Sequence, residues 1–318
     1  MRRACAVAAL AVIVAACGEE PPEPPEQSAG ARVGSTPSPG EVPTYERDFA
    51  FAGFAGDSVI LVPWLMRTWA GPDSVAREAY GWLGRRGTWD AFYAERWATP
   101  PTRAPSRVLP HGSLRLLVQQ DDVIDGILFG DGERRLELAL GNVRSSWGGP
   151  RGESIELVQG VAYVADQRVE GTIVHMSRAS AGASPPGGDW ALLVSGDSLQ
   201  LVLAADAEHG GESDPQYRAY ADQEGTDGTL ERVWTDVRVT WTTIEAFPPA
   251  RRDVPVEWRI TAEDGSLSGE LARVSSDIEA GTGRGPLLPV RALYEVEGEL
   301  RVSGRPYPVR GLLVHERR

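Results

Sequence analysis

The chain has 318 residues and a net charge of −13, with 45 Asp and Glu set against 32 basic side chains, every one an arginine. That acidic balance argues against nucleic acid as a partner and against broad contact with anionic lipid headgroups. The absence of lysine excludes Schiff-base chemistry on a lysine side chain, and ten tryptophans supply both core material and the lining for an apolar ligand cavity.

The N-terminus predicts the compartment. Met1-Arg2-Arg3 is a short basic start, and the apolar run from Ala4 to Ala16 is too short to span a bilayer. Together they read as a secretory signal over 1–16. Val14-Ala15-Ala16-Cys17 resembles a bacterial lipobox, which implies cleavage before Cys17 and lipid on its thiol and amine. The protein is then membrane-anchored, and Gly18 in place of aspartate favours the outer membrane. Loss of Arg2 and Arg3 leaves 30 arginines against 45 acids, a charge of −15. Cys5 leaves with the signal and Cys17 is acylated, so no cysteine remains for a disulfide, and a folded region of about 270 residues must be held by its core. Residues 17–43, with Pro-Pro-Glu-Pro-Pro-Glu and then Ser, Gly and Pro, read as a solvated tether.

Asp48 to Val62 predicts two strands turning at Ala55-Gly56-Asp57, with Pro63 ending the ladder. Residues 72–98 interrupt the β pattern. Pro72-Asp73-Ser74 has the composition of a helix start, and Val75, Ala79, Trp82 and Leu83 fall on one helical stripe. Thr88 predicts the cap of a second short helix through Trp97. Strands follow at 114–119, 124–129 and 135–140, the last two joined by a Gly130-Asp131-Gly132 turn. Residues 154–164 and 168–177 close a first half. Ser180 to Gly188 reads as a linker. In the second half, strands are expected within 190–204, around 233–243 and 254–260, and over 293–302 and 307–315. Ser213 to Thr229 is expected to be a loop or one short helix.

The two halves repeat each other. Val169-Glu-Gly-Thr-Ile-Val-His175 returns as Val309-Arg-Gly-Leu-Leu-Val-His315 at an offset of 140. The same offset links Gly56-Asp57-Ser58 to Gly196-Asp197-Ser198 and Ala79-Tyr80 to Ala219-Tyr220. This period suits a whole small domain rather than a propeller blade. The fold class expected is mainly β, with two antiparallel barrel or lipocalin-like units, 44–179 and 189–318, and short helices inserted in the first.

Val256-Glu-Trp258-Arg259-Ile260, followed by Tyr294 through Gly298 and Val302-Ser-Gly304, resembles the C-terminal pattern of a family of tandem lipocalin-like proteins. That family includes carotenoid hydratases of the hydroxyneurosporene-synthase type. The resemblance implies two packed barrel-like units over 45–318, with an apolar ligand cavity or a hydratase site near their junction. It carries over no catalytic residue.

Candidate chemistry is sparse. Metal-ligand spacings, a nucleophile elbow and nucleotide-binding motifs do not occur, so no metal or cofactor is expected. His175 and His315 occupy repeat-equivalent strand ends and raise the possibility of a paired site. His111 and His209 read as loop residues, Asp57 and Asp197 as turn residues, and Asp121, Asp122 and Asp125 as a solvated loop. The aromatic set is the best site candidate: Trp64, Trp69, Tyr80, Trp82 and Trp97 in the first half, and Trp234, Trp241 and Trp258 in the second. Three functions are open to the sequence. The protein carries an apolar or amphipathic small molecule, or it is a hydratase- or cyclase-like enzyme using a buried carboxylate as acid, or it is a ligand-free envelope interaction protein.

Overall fold

The computed structural model describes residues 42–119, 123–132, 134–149, 153–181, 188–196, 198–205, 216–225 and 228–317. The signal, Cys17, most of the tether and linker, Asp121, Asp122, Asp197 and His209 lie outside these residues.

The first unit is a nine-stranded antiparallel sheet. Its strands are β1 (Pro43–Ala55), β2 (Ser58–Ala70), β3 (Val75–Arg85), β4 (Thr88–Thr99), β5 (Leu114–Val118), β6 (Ile124–Asp131), β7 (Arg134–Gly148), β8 (Ser154–Val164) and β9 (Gln167–Ala181). Their order is β4-β3-β2-β1-β9-β8-β7-β6-β5. The second unit is a closed eight-stranded barrel of β10 (Trp190–Ser195), β11 (Leu199–Ala205), β12 (Gln216–Gly225), β13 (Gly228–Phe247), β14 (Arg252–Ala262), β15 (Leu267–Ala280), β16 (Val290–Val302) and β17 (Arg305–Arg317). The β fold class and the tandem arrangement hold. The first sheet curls without closing, because β4 and β5 do not pair. The segment between them is stitched to the sheet instead, by Arg77 Nη1 to the Arg107 carbonyl (2.7 Å) and Tyr93 Oη to the His111 carbonyl (2.8 Å).

Each unit has its own packed interior. Phe49, Trp64, Phe92, Phe129, Leu138 and Ile173 fill the curled sheet, and Leu193, Leu201, Tyr217, Trp258, Tyr294 and Leu313 fill the barrel. A third cluster lies between the units. Ala50, Leu65, Trp82, Leu157 and Val174 on the outer face of the first sheet meet Trp190, Leu192, Val202, Leu312 and Val314 on the outside of the barrel. Strands β1, β2 and β3 are thus covered on both faces along much of their length.

That double burial corrects the helices expected over 72–98, which are strands β3 and β4. In β3 buried residues on successive faces merged into a run that mimicked a helical stripe, and in β4 a bulge at Phe92 puts Phe92 and Tyr93 both into the interior. Gly81 also belongs to the sheet: a Cβ there would lie 2.9 Å from both Phe92 and Trp64. Residues 216–225, expected as loop or helix, form β12. Pro63 does not end a strand. It sits inside β2 opposite Ala50, at a gap in the β2–β3 ladder between Leu61↔Gly84 and Trp64↔Gly81, where its missing N–H costs no hydrogen bond.

The repeated motif has a steric basis. Gly171 opposes Gly53 on β1, and Gly311 opposes Leu193 on β10. A Cβ at Gly171 would stand 2.3 Å from the Ala52 carbonyl oxygen, and one at Gly311 1.9 Å from that of Leu192. In both units only glycine lets the last strand come this close to the first.

Candidate functional site

An open volume of about 1160 Å3 forms a cleft between the two units. One wall is the outer face of β2, β3 and β4, with Leu65, Trp69, Glu78, Tyr80 and Arg96. The other is the barrel rim, with Glu279 to Thr282, Pro289 to Arg291, Glu316 and Arg317. A tight polar lattice centres on Tyr80. Its hydroxyl accepts from Arg96 Nη2 (2.8 Å) and donates to Glu78 Oε2 (3.0 Å). Arg291 from the barrel lies 4.0 Å over the Tyr80 ring and 5.3 Å over Trp82, a cation–π bridge between the units. Trp97 stacks flat on His111, with centroids 4.7 Å apart.

Arg67 connects this cleft to a buried charge cluster. Glu46, Asp48, Arg67 and Arg178 are each under a tenth exposed. Arg67 Nε lies 2.7 Å from Glu46 Oε1, its Nη1 donates to Asp48 Oδ1, and its Nη2 approaches Glu316 Oε1 at 3.8 Å. Arg178 Nη2 reaches Glu46 Oε2 at 3.0 Å and Asp48 Oδ2 at 3.5 Å. Burial pushes the Asp48 carboxyl up to about 6; Arg67 pulls against this and the neighbouring Glu46 charge adds to it. Burial opposes the charge on Arg67, yet the carboxylates of Asp48, Glu46 and Glu316 outweigh it and hold this guanidinium charged.

The two histidines do not form a shared site: each faces the interior of its own unit. His175 stacks on Phe49 at 4.4 Å and meets Glu156 Oε2 through Nδ1 at 3.0 Å. His315 meets Asp189 Oδ1 through Nδ1 at 2.9 Å, beside Trp241. The carboxylate comes from β8 in one unit and from the start of β10 in the other, where Asp189 takes the place that Phe49 holds against His175. Tyr217 also donates to Asp189 (3.1 Å), as does the Glu316 backbone N–H (3.2 Å). Burial alone would raise Asp189; His315, Arg317 and Tyr217 reverse this and hold it below the usual carboxylate range.

Of the eight aromatic candidates, Trp69 and Tyr80 line the cleft; Trp97 borders it with its ring turned onto the first unit's core and His111. Trp64 is core of the first unit, Trp82 lies in the cluster between the units, and Trp234 and Trp258 are barrel core. Trp241 is half-buried at the barrel end against His315, with Arg317 4.8 Å over its ring. The sequence reading missed Glu46, Asp48, Arg67 and Arg178. The available signal was parity: Thr44, Glu46 and Asp48 alternate in step with Ala50 and Ala52, so the acids continue a buried face.

No protein-family model matches the chain, and no curated protein matches it significantly in sequence. Solved structures do share its fold. Kievitone hydratase from Nectria haematococca superposes with a TM-score of 0.50 at 10% identity, over 85% of this chain and 87% of that one. A Nitrosomonas europaea protein described as AttH gives 0.56 at 12% identity, over 88% and 94%. The tandem lipocalin-like architecture is therefore shared along nearly the whole length of these chains. At such identities the likeness is one of fold, and function must be argued from the site.

Proposed function

We propose that the chain binds an amphipathic small molecule in the cleft between its units. The observation that carries this reading is where the open volume lies. The unit interiors are packed with side chains, while about 1160 Å3 stands open between them, bordered by Trp69 and Tyr80 on one wall and by arginines on both. Aromatic and aliphatic side chains set among arginines and glutamates suit a ligand with a hydrocarbon body and a polar end. Titrating the protein with a panel of lipids and isoprenoids, read by tryptophan fluorescence, tests it. Trp69→Ala is expected to weaken binding about tenfold, the scale of one to two kcal/mol of lost apolar contact. A panel that leaves the fluorescence unchanged sinks the proposal.

A second reading, hydration or cyclisation in the same cleft, is favoured by Asp48. A carboxyl that keeps its proton up to about pH 6 can act as a general acid. In such a reaction Asp48 gives its proton to an alkene carbon, water or an internal nucleophile adds to the resulting cation, and the proton released returns to the carboxylate. Arg67 stands between Asp48 and the cleft, so its side chain must swing aside. The name of the kievitone hydratase makes a hydration reaction a reasonable assay on this fold. Asp48→Asn is expected to abolish any turnover while leaving ligand binding in place; turnover that survives it removes Asp48 from the role.

The N-terminal reading extends this to location, with the two units tethered to the outer membrane through lipid on Cys17. Cys17→Ser is expected to remove palmitate labelling and move the protein from the membrane to the soluble fraction. Unchanged fractionation overturns the anchor.

A further inference from the structure

We propose that the outer face of the first unit carries a second binding site, separate from the cleft, and that it takes a neutral saccharide. The proposal is independent of the cleft reading.

An open volume of about 600 Å3 lies where the outer face of β1, β7, β8 and β9 passes the turn after β10. It shares no lining residue with the cleft, and its size suits a small ligand. Strand register lays out the floor. Ala52 pairs with Thr172 and Thr172 with Gln159. In the next row of the same face Glu170 pairs with Val161 and Val161 with Ala139. Side chains two residues apart on a strand point the same way, so Phe54 follows Ala52 and Arg168 follows Glu170 onto this face. Ala139 and Gly141 keep the floor low, while Phe54, Gln159, Arg144, Arg168 and Glu170 stand around it.

The charges here are already matched. Arg144 Nε lies 3.0 Å from Oδ2 of the wholly buried Asp222, to which Ser145 Oγ also donates (3.3 Å). Arg168 Nη1 lies 2.6 Å from Glu170 Oε1. An ion entering the site meets no unmatched charge that would offset its desolvation. A hydroxyl differs, because it both donates and accepts. The two guanidinium groups donate, the Glu170 carboxylate accepts, and the Gln159 amide does both. The pairing with Asp222 also fixes Arg144 before any ligand arrives. Phe54 supplies the apolar half, with its side chain 38% exposed on this face. Tyr163, exposed and paired in register with Arg168, offers a second ring further along the same face. A sugar combines these two kinds of surface, a flat face of C–H groups and a rim of hydroxyls. The C–H face stacks on Phe54 and the rim meets the planar polar groups.

No tryptophan lines the site, so calorimetry rather than fluorescence reads it. Maltose, cellobiose and N,N′-diacetylchitobiose are titrated into the whole protein, with glucuronic acid as the charged comparison. At least one neutral disaccharide is expected to bind with a Kd below about 1 mM, and glucuronate more weakly. Phe54→Ala should weaken that sugar about tenfold, through loss of the stacking ring. If Phe54→Ala does not fold, Gln159→Ala, at an exposed position, carries the test and should weaken binding severalfold. Affinity untouched by both substitutions removes the sugar from this site and overturns the proposal. Tighter binding of glucuronate than of every neutral sugar overturns the ligand class. Absence of heat from all three disaccharides at millimolar concentration overturns the site outright, and leaves the reading of the cleft as it stands.

Discussion

Arg67→Ala is expected to destabilise the protein by about 3–5 kcal/mol, because it strips the central cation from a buried cluster and leaves carboxylates behind without it. Arg67 touches Glu46 and Asp48, both about 1% exposed, and approaches Glu316 from the other unit. Without it, Arg178 alone faces two close carboxylates in a site closed to water. The measurement is the urea unfolding midpoint of wild type and variant, with the same substitution repeated in a Glu46→Gln, Asp48→Asn background. There the cost should fall by more than half, since neutral amides no longer need the guanidinium. A loss below about 1 kcal/mol in the wild-type background would mean that the cluster is solvated and worth no more than a surface pair.

The second large effect is on pH dependence. In the folded chain the Asp48 carboxyl holds its proton up to about pH 6, whereas its ordinary value is 3.8. Between those values the folded state binds more protons than the unfolded one, so this residue's contribution to stability rises as pH falls through the window. The gain is about 3 kcal/mol in all and saturates below 3.8, where both states are protonated. His175 acts in the opposite direction, since burial holds its pKa below 6.5 and its contribution is lost as the pH falls towards that depressed value. Asp189 and Glu156, both depressed, likewise lose their contributions on further acidification. Subtracting the Asp48→Asn stability curve from that of the wild type isolates the one residue. The difference should move by about 2 kcal/mol in favour of the wild type between pH 7 and pH 4. A flat difference would show that Asp48 titrates normally, and its candidacy as a general acid would go with it.

The strand pattern was legible because side-chain alternation is local. Residues 154–164 match β8 to the residue, and the Gly130-Asp131-Gly132 turn joins β6 to β7 with Gly132 at φ 59°. The Gly171 and Gly311 repeat marked equivalent strands, although the sequence did not reveal why glycine was needed. The error at 72–98 came from the second unit. Tyr80 and Trp82 face outward from their sheet, yet they are buried against the barrel side of the molecule, so the polar positions that betray a strand are missing. The candidate site suffered in the same way. Two of eight aromatics reached the cleft, because residue type says that a tryptophan will be buried but not against what.

The sequence by itself determined that this protein is a β-rich tandem of two related units. Hydrophobic periodicity, turn glycines and the 140-residue offset are all contained in short stretches of chain. Only the tertiary structure decided where the chemistry is placed. Asp48 and Arg67 are 19 residues apart and meet through the β1–β2 hairpin. Arg178 joins them through the pairing of β1 with β9, and Glu316 through the docking of the barrel. The cleft exists because two outer faces pack at one end and part at the other, a property of neither unit's sequence pattern but of how their surfaces fit.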